Sequence, residues 1–185
     1  MYRNFSIVPK IIFGRGAFNQ LDDVLAEKRS ADGFMVFVLD EAHKGKELEK
    51  RLPMREKDML LIIRTDYEPK TEYIDDYVRM IKEYSATLPD GIIGLGGGIT
   101  MDTAKAISLM LTNPGSAADY QGWDLIHNPA VYHIALPTLA GTGAEISRTC
   151  ILTGPEKKLG INSDYTLFDQ LILDPELLAG VPKEQ

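Results

Sequence analysis

The run FMVFVL at residues 34–39 presents no polar side chain on either face of an extended chain, so a strand made from it must be covered on both sides. Gly33 and Asp40 bound it. Similar short apolar runs recur at 59–63, 92–95, 133–136, 150–152 and 171–173, giving six candidate buried strands. Between them, residues 17–29, 71–84 and 100–111 carry apolar side chains at helical spacing: Tyr73, Tyr77, Met80 and Ile81 in the second, Met101, Ala104, Ile107, Ser108 and Leu111 in the third. Strand and helix in alternation predict an α/β fold, a doubly wound and mostly parallel sheet flanked by helices. No fixed-period repeat interrupts the pattern, which excludes a solenoid.

A length of 185 residues allows one large α/β domain or two small ones, and 44% apolar with 25% charged residues is a composition that folds. The formal charge of −7 lacks the basic stripe that neutralises nucleic-acid phosphates, so no nucleic-acid partner is expected. No apolar run approaches the ~18 residues of a membrane span, and the first ten residues contain charges and Pro9 instead of a signal-peptide core. The lone Cys150 cannot form an internal disulfide; a cytoplasmic location and a buried, inert thiol are expected. Residues 44–58, rich in charges of both signs, read as a solvated helix and turn, with their lysines and arginines as anion ligands the alternative, and residues 113–123 as a loop or short helix.

Two glycine-bearing segments carry the chemistry. In GIIGLGGGITMDTAK (residues 91–105) an apolar run ends in Gly96, Gly97 and Gly98, with Thr100 a candidate cap for the helix that follows. Glycines permit close backbone approach, and the free N–H groups of a helix's first turn favour an anion such as a pyrophosphate. Ile99 stands where the dinucleotide fingerprint has its third glycine, and no Gly-Lys-Ser/Thr follows, so neither that fingerprint nor a P-loop is present. A plain strand-to-helix turn is the alternative. Asp102 and Lys105 would share one face of the helix. The second segment, PTLAGTGAE (residues 137–145), places Thr138, Leu139 and Thr142 after another apolar run; Thr142 and Glu145 form a T-x-x-E capping box that predicts a further helix. Two polar rims at the carboxyl ends of parallel strands would flank one crevice. Asp40, at the end of its own run, is either a ribose ligand on that crevice or an ordinary turn aspartate.

GGGITMDTAK (96–105) and PTLAGTGAE (137–145), in this order and spacing, resemble the nucleotide-binding motifs of the iron-containing alcohol dehydrogenase superfamily. IIFGRGAF (11–18), the Asp40 strand end and LILDPELL (171–178) match as well, so the resemblance covers essentially the whole chain. It implies a Rossmann-like, dehydroquinate synthase-like N-terminal domain that binds NAD. Gly97, Gly98 and Ile99 would wrap the pyrophosphate beside Gly96, with Asp102 on the nicotinamide side. Thr138, Leu139 and Thr142 would line the nicotinamide and phosphate path, Asp40 would hold the adenine ribose and favour NAD over NADP, and Lys158 would neutralise cofactor charge. Ile99 replaces the family's usual serine, and Phe168 stands where a proline is common. Residues 110–126 and 157–174 are similar to a branch that oxidises the C8 hydroxyl of 3-deoxy-D-manno-octulosonate.

Members of this superfamily bind a divalent metal, iron or zinc, through one aspartate and three histidines of a helical C-terminal domain, the first two spaced Asp-x-x-x-His after the LDPEL segment. None of His43, His127 and His133 has an acidic residue four positions before it. His133 reads as a core residue, His127 as a turn residue, and no metal site is expected in residues 1–185. The resemblance therefore implies an NAD-binding half of an oxidoreductase for a small alcohol or sugar acid, inactive by itself, with the metal supplied by a domain outside the chain. An apolar face left for that domain would favour a homodimer. Two rival functions fit the same glycine loops: a nucleotide-binding module without catalysis, and an NAD- and metal-dependent enzyme of the dehydroquinate synthase type.

Overall fold

The computed structural model describes residues 6–180. Along the chain come β1 (Ile11–Phe13), α1 (Leu21–Ala26), β2 (Met35–Asp40), α2 (Glu47–Lys50), β3 (Met59–Ile63), α3 (Thr71–Tyr84), β4 (Gly91–Gly96) and α4 (Gly98–Met110). Strands β5 (Gly122–Trp123), β6 (His133–Pro137), β7 (Thr149–Thr153), β8 (Lys158–Asn162) and β9 (Gln170–Leu173) follow. The main sheet has the order β1-β9-β6-β4-β2-β3, and every neighbouring pair in it is parallel. This is the doubly wound sheet expected from the apolar runs.

Burial explains the arrangement. All six residues of β2 are buried. Met35, Phe37 and Leu39 pack with Leu21, Val24 and Leu25 of α1 and Leu48 of α2. Val36 and Val38 point the other way, into a core shared with Ile74 and Val78 of α3 and Met101, Ala104 and Ile107 of α4. The chain runs from β2 outward to β3, then returns across β2 to β4. That reversal makes a topological switch point between the carboxyl ends of β2 and β4, where open α/β sheets bind ligands.

The other end of β2 is fixed by a buried ion pair. Arg29 donates to both carboxylate oxygens of Asp58, at 2.8 and 2.7 Å, with side chains only 4% and 1% exposed. Asp58 also accepts the N–H groups of Met35 and Arg55. Burial opposes the charge on Asp58, but the Arg29 bond and these backbone donors outweigh it and hold the carboxyl below its usual pKa.

Four sequence expectations need correction. The run at 150–152 does form a strand, β7, but it joins a separate three-stranded sheet ordered β5-β8-β7, antiparallel to β8. Its alternating burial suits a sheet covered on one face, and the sixth place in the main sheet goes to the edge strand β1. Helix α3 has the expected length, but its buried stripe is Thr71, Ile74, Val78 and Ile81. Tyr73 and Tyr77 sit at the margin of that stripe and Met80 is 45% exposed, as suits side chains with polar tips or flexible stems beside a face already filled by branched aliphatics. Residues 17–29 divide into a 3-10 turn (Ala17–Gln20) and α1. No helix follows the capping box at Thr142, where the chain forms turns that lead into β7. Residues 44–58 and 113–121 are, as expected, turns with short helical pieces, whereas Gly122 and Trp123, expected in the same loop, form β5 beside β8.

Candidate functional site

Strand β4 ends in Gly96, and α4 starts two residues later with Gly97 as its cap. Thr100, expected as the cap, instead lies inside the first turn, fully buried, with its hydroxyl unpartnered among the described residues. Gly97 has no side-chain cap, so the first N–H groups of α4 remain for a ligand. The turn is too tight for side chains. A Cβ on Gly96 would lie 2.8 Å from the Asp40 Cβ, and one on Gly98 would lie 2.7 Å from Thr142 Oγ1.

Around this turn lies a cleft of about 600 Å³, lined by Asp40, Thr65, Gly97, Gly98, Ile99, Thr138 and Leu139, with His43, Lys46 and Leu177 on its rim. Asp40, at the end of β2, is 6% exposed, and its Oδ1 accepts from the Ala42 N–H at 2.9 Å and the Thr65 hydroxyl at 3.1 Å. Its other oxygen accepts nothing among the described residues and is free for a ligand hydroxyl. The Thr138 N–H donates to Gly96 O at 2.9 Å, stitching the second glycine segment to the first.

Of the expected residues, the fold brings Asp40, Gly96, Gly97, Gly98, Ile99, Thr138 and Leu139 together around this cleft, and Thr142 lies directly against Gly98. Asp102 and Lys158 sit apart, toward the second sheet. Asp102 accepts the Ile151 N–H at 3.1 Å, and burial pushes its pKa up to about 6, partly offset by that N–H, Lys105 and Lys158. Lys158 pairs with Glu68, whose carboxyl is thereby held below the usual range despite burial's opposing effect. The charge meant for a cofactor is thus already engaged. His133 is a core residue as expected, 2% exposed, and burial raises the Cys150 thiol to about 12.

Sequence reasoning gave His43, Thr65 and Leu177 no place in the cleft, and preferred a solvated helix to an anion-binding role for the segment that holds Lys46. The available signal was position: His43 and Thr65 follow the carboxyl ends of β2 and β3 by three and two residues. His43 Nε2 lies 3.1 Å from Thr138 Oγ1, bridging the two sides of the cleft. Burial, helped by Lys46, outweighs Asp40 and keeps this imidazole below its usual pKa. Leu177 comes from the LDPELL segment, which Asp174 fastens to the N-terminal turn by accepting the N–H groups of Gly16 and Phe18 at 3.1 and 3.0 Å. A second cleft of about 430 Å³, lined by Lys70, Thr71, Asp75, Ser116 and Thr153 among others, lies elsewhere; its Asp75 is spent on Ser116 Oγ and the Ala117 N–H.

The glycine turn, the free helix end and Asp40 fit a dinucleotide: an anion-binding cradle beside a carboxylate acceptor, at the switch point of the sheet. A metal is another matter. Among the described residues no group of three or more His, Cys, Asp or Glu side chains could hold one. Among them too, no helix is long and apolar enough to cross a membrane.

Comparison with known proteins agrees. The profile of the family described as "Iron-containing alcohol dehydrogenase" matches residues 9–175. Sulfoacetaldehyde reductase of Bilophila wadsworthia (strain 3_1_6) is 34% identical over 179 residues, which is 95% of this chain and 46% of that protein. NAD-dependent methanol dehydrogenase of Bacillus methanolicus is 28% identical over 183 residues, 97% of this chain and 47% of that protein. The solved structure of sulfoacetaldehyde reductase from Bifidobacterium kashiwanohense in complex with NAD+ superposes with a TM-score of 0.80 at 28% identity, covering 98% of this chain and 48% of that one. The chain spans about half the length of the curated relatives it matches.

Proposed function

The chain belongs to the iron-containing alcohol dehydrogenase family, and from that premise we propose that it is the NAD-binding portion of an oxidoreductase interconverting a small alcohol and its aldehyde. The observation that carries this reading is the Gly96–Gly98 turn at the switch point, facing Asp40 across one cleft. The backbone N–H groups at the start of α4 bind the pyrophosphate, and Ile99 leaves that contact to main-chain donors alone. Asp40 Oδ2 accepts from the adenine ribose and repels a 2′-phosphate, favouring NAD. Leu139 and Thr142 lie against Gly97 and Gly98 at the side of the cradle. Asp102 and Lys158 lie outside this cleft, engaged by the Ile151 N–H and by Glu68, and carry no cofactor contact in this reading. The bound nicotinamide supplies the hydride acceptor.

The described residues do not form a metal site, so the chemistry assigned to them is confined to holding and orienting the cofactor. The metal, the substrate pocket and turnover belong to a longer protein in this reading, with iron or zinc as candidates. Its substrate is a primary alcohol or the matching aldehyde. The C8 hydroxyl of 3-deoxy-D-manno-octulosonate is supported by residues 110–126 and 157–174, and sulfoacetaldehyde by the 34% identical relative. A fluorescence titration of the 185-residue chain with NADH tests the reading: saturable binding without alcohol oxidation is expected. Absence of binding, or metal-stimulated alcohol oxidation by these 185 residues alone, would contradict it.

A further inference from the structure

The Lys105 side chain is fully buried in α4, and no carboxylate pairs with it among the described residues. Its ammonium instead donates into a cage of backbone and hydroxyl oxygens: Ala144 O at 2.5 Å, Ser147 O at 2.7 Å, Thr149 O at 3.1 Å and Ser147 Oγ at 3.2 Å. The Phe168 ring closes the far side, with its centroid 5.2 Å from Nζ. Burying a lysine costs stability unless its donors are satisfied, and here they are satisfied entirely by the segment that follows the second glycine loop.

That loop has few other supports. Residues 139–142 are exposed, and Gly141 and Gly143 adopt φ values of +148° and +65° with nothing within 4 Å of where their side chains would be. At one end Thr138 is fastened by the Gly96 carbonyl and by His43. At the other, the Thr142 hydroxyl accepts the Ala144 N–H at 3.2 Å, and the Ala144 carbonyl is held by Lys105. Between these two ends no hydrogen bond from the described residues holds 139–141.

Building on the NAD-binding reading, we infer that Lys105 is a positioning residue for cofactor binding: its carbonyl cage clips down the far end of the 138–143 strap, and thereby seats Thr142 on Gly98 and Leu139 on Gly97 over the pyrophosphate cradle. Lys105 never touches the cofactor. It acts by keeping the strap in its binding-competent position before the ligand arrives. The charged groups facing it are Asp102 on its own helix and Glu145 in the following segment, and Cys150 of β7 packs beside it; burial outweighs all three and lowers its pKa to about 8. Raising the pH from 7 to 9 therefore removes the ammonium charge and one donor while Asp102 stays ionised and Cys150 stays a thiol. His43, already below its usual value, stays neutral.

The test compares the 185-residue chain with Lys105→Met, reading NADH affinity from pH 7 to 9 and hydrogen-exchange protection of the free proteins. In the unsubstituted chain, affinity and the protection of residues 144–149 should fall together as pH rises. In Lys105→Met, if the strap is seated about one-tenth of the time, affinity should drop about tenfold. That loss should be independent of pH, with amides of β4 and β2 still protected. Equal affinity in the variant, a pH profile that survives the substitution, or undiminished protection of 144–149 would each overturn the inference. Should Lys105→Met fail to fold, the pH dependence of protection in the unsubstituted chain still decides, since a packing role alone would leave it flat. Should NADH not bind at all, the NAD-binding reading fails while the exchange data test the clip separately.

Discussion

The two glycine-bearing segments at the carboxyl ends of neighbouring strands β4 and β6 look alike in sequence and are built by opposite means. Gly96–Gly98 lies between a fully buried strand and a helix buried over ten of its residues, so its shape is dictated by the sheet and by α4. Residues 139–142 are exposed, lead into turns, and hold their place through a fastening at either end. One half of the cofactor cleft is therefore part of the core, and the other is a strap laid over it. Stability should depend on the first, and binding on both.

The largest effect should come from the base of the rigid half. Asp58→Ala leaves Arg29 buried without its partner and should cost about 3–5 kcal/mol in urea unfolding. The folded-state pKa of Asp58 lies below its ordinary value, so the pair's contribution is complete above the unfolded carboxyl pKa, roughly 3.9, and is lost as pH falls through the folded one. Acid titration of the unsubstituted chain should show that loss, and Asp58→Ala should remove it. Gly98→Val strikes where the halves touch. Overpacking against Thr142 costs about 1–3 kcal/mol, roughly five- to 150-fold in NADH affinity, and unseats the strap while α4 keeps its circular-dichroism signal. Asp40→Ser removes the charge opposed to a 2′-phosphate and should shift the NADPH-to-NADH affinity ratio by about tenfold, or ~1.4 kcal/mol, in competition titrations. Smallest of all, Thr142→Ala should change thermal stability by no more than about 0.5 kcal/mol yet measurably weaken NADH binding. Equal loss of stability in Thr142→Ala and Asp58→Ala would erase the distinction between core and strap.

Legibility in the sequence follows the same division. The apolar runs that became β2, β4, β6 and β9 were readable because a strand buried on both faces leaves no polar position, the half-buried edge strand β3 because its run is apolar all the same, and Gly96–Gly98 because its neighbours fix it. The strap misled. A T-x-x-E box at Thr142 is a local signal, and a helix after it would need the carbonyls of Ala144 and Ser147 for its own ladder; Lys105, some forty residues earlier, takes them instead. His43, weighed only as a metal ligand, and Thr65 were not placed on the cleft because that position comes from the order of strands in the sheet, which local pattern does not encode. Asp174 illustrates the same limit: the IIFGRGAF and LDPELL segments were both visible, but not that one carboxylate joins them across 156 positions. Burial works against that carboxylate, yet the N–H groups of Phe18, Glu176 and Gly16, with Arg51, hold it below the usual range.

The central claim is that a dinucleotide sits in the switch-point cleft between the turn and the strap. An amide-resolved NMR titration of the 185-residue chain with NADH tests it most directly. The expected result is saturable, one-to-one shifts at Gly97, Gly98, Ile99, Thr138 and Thr142, with the amides around Lys70, Asp75 and Ser116 unmoved. Shifts confined to that second cleft, or none at all, would contradict it.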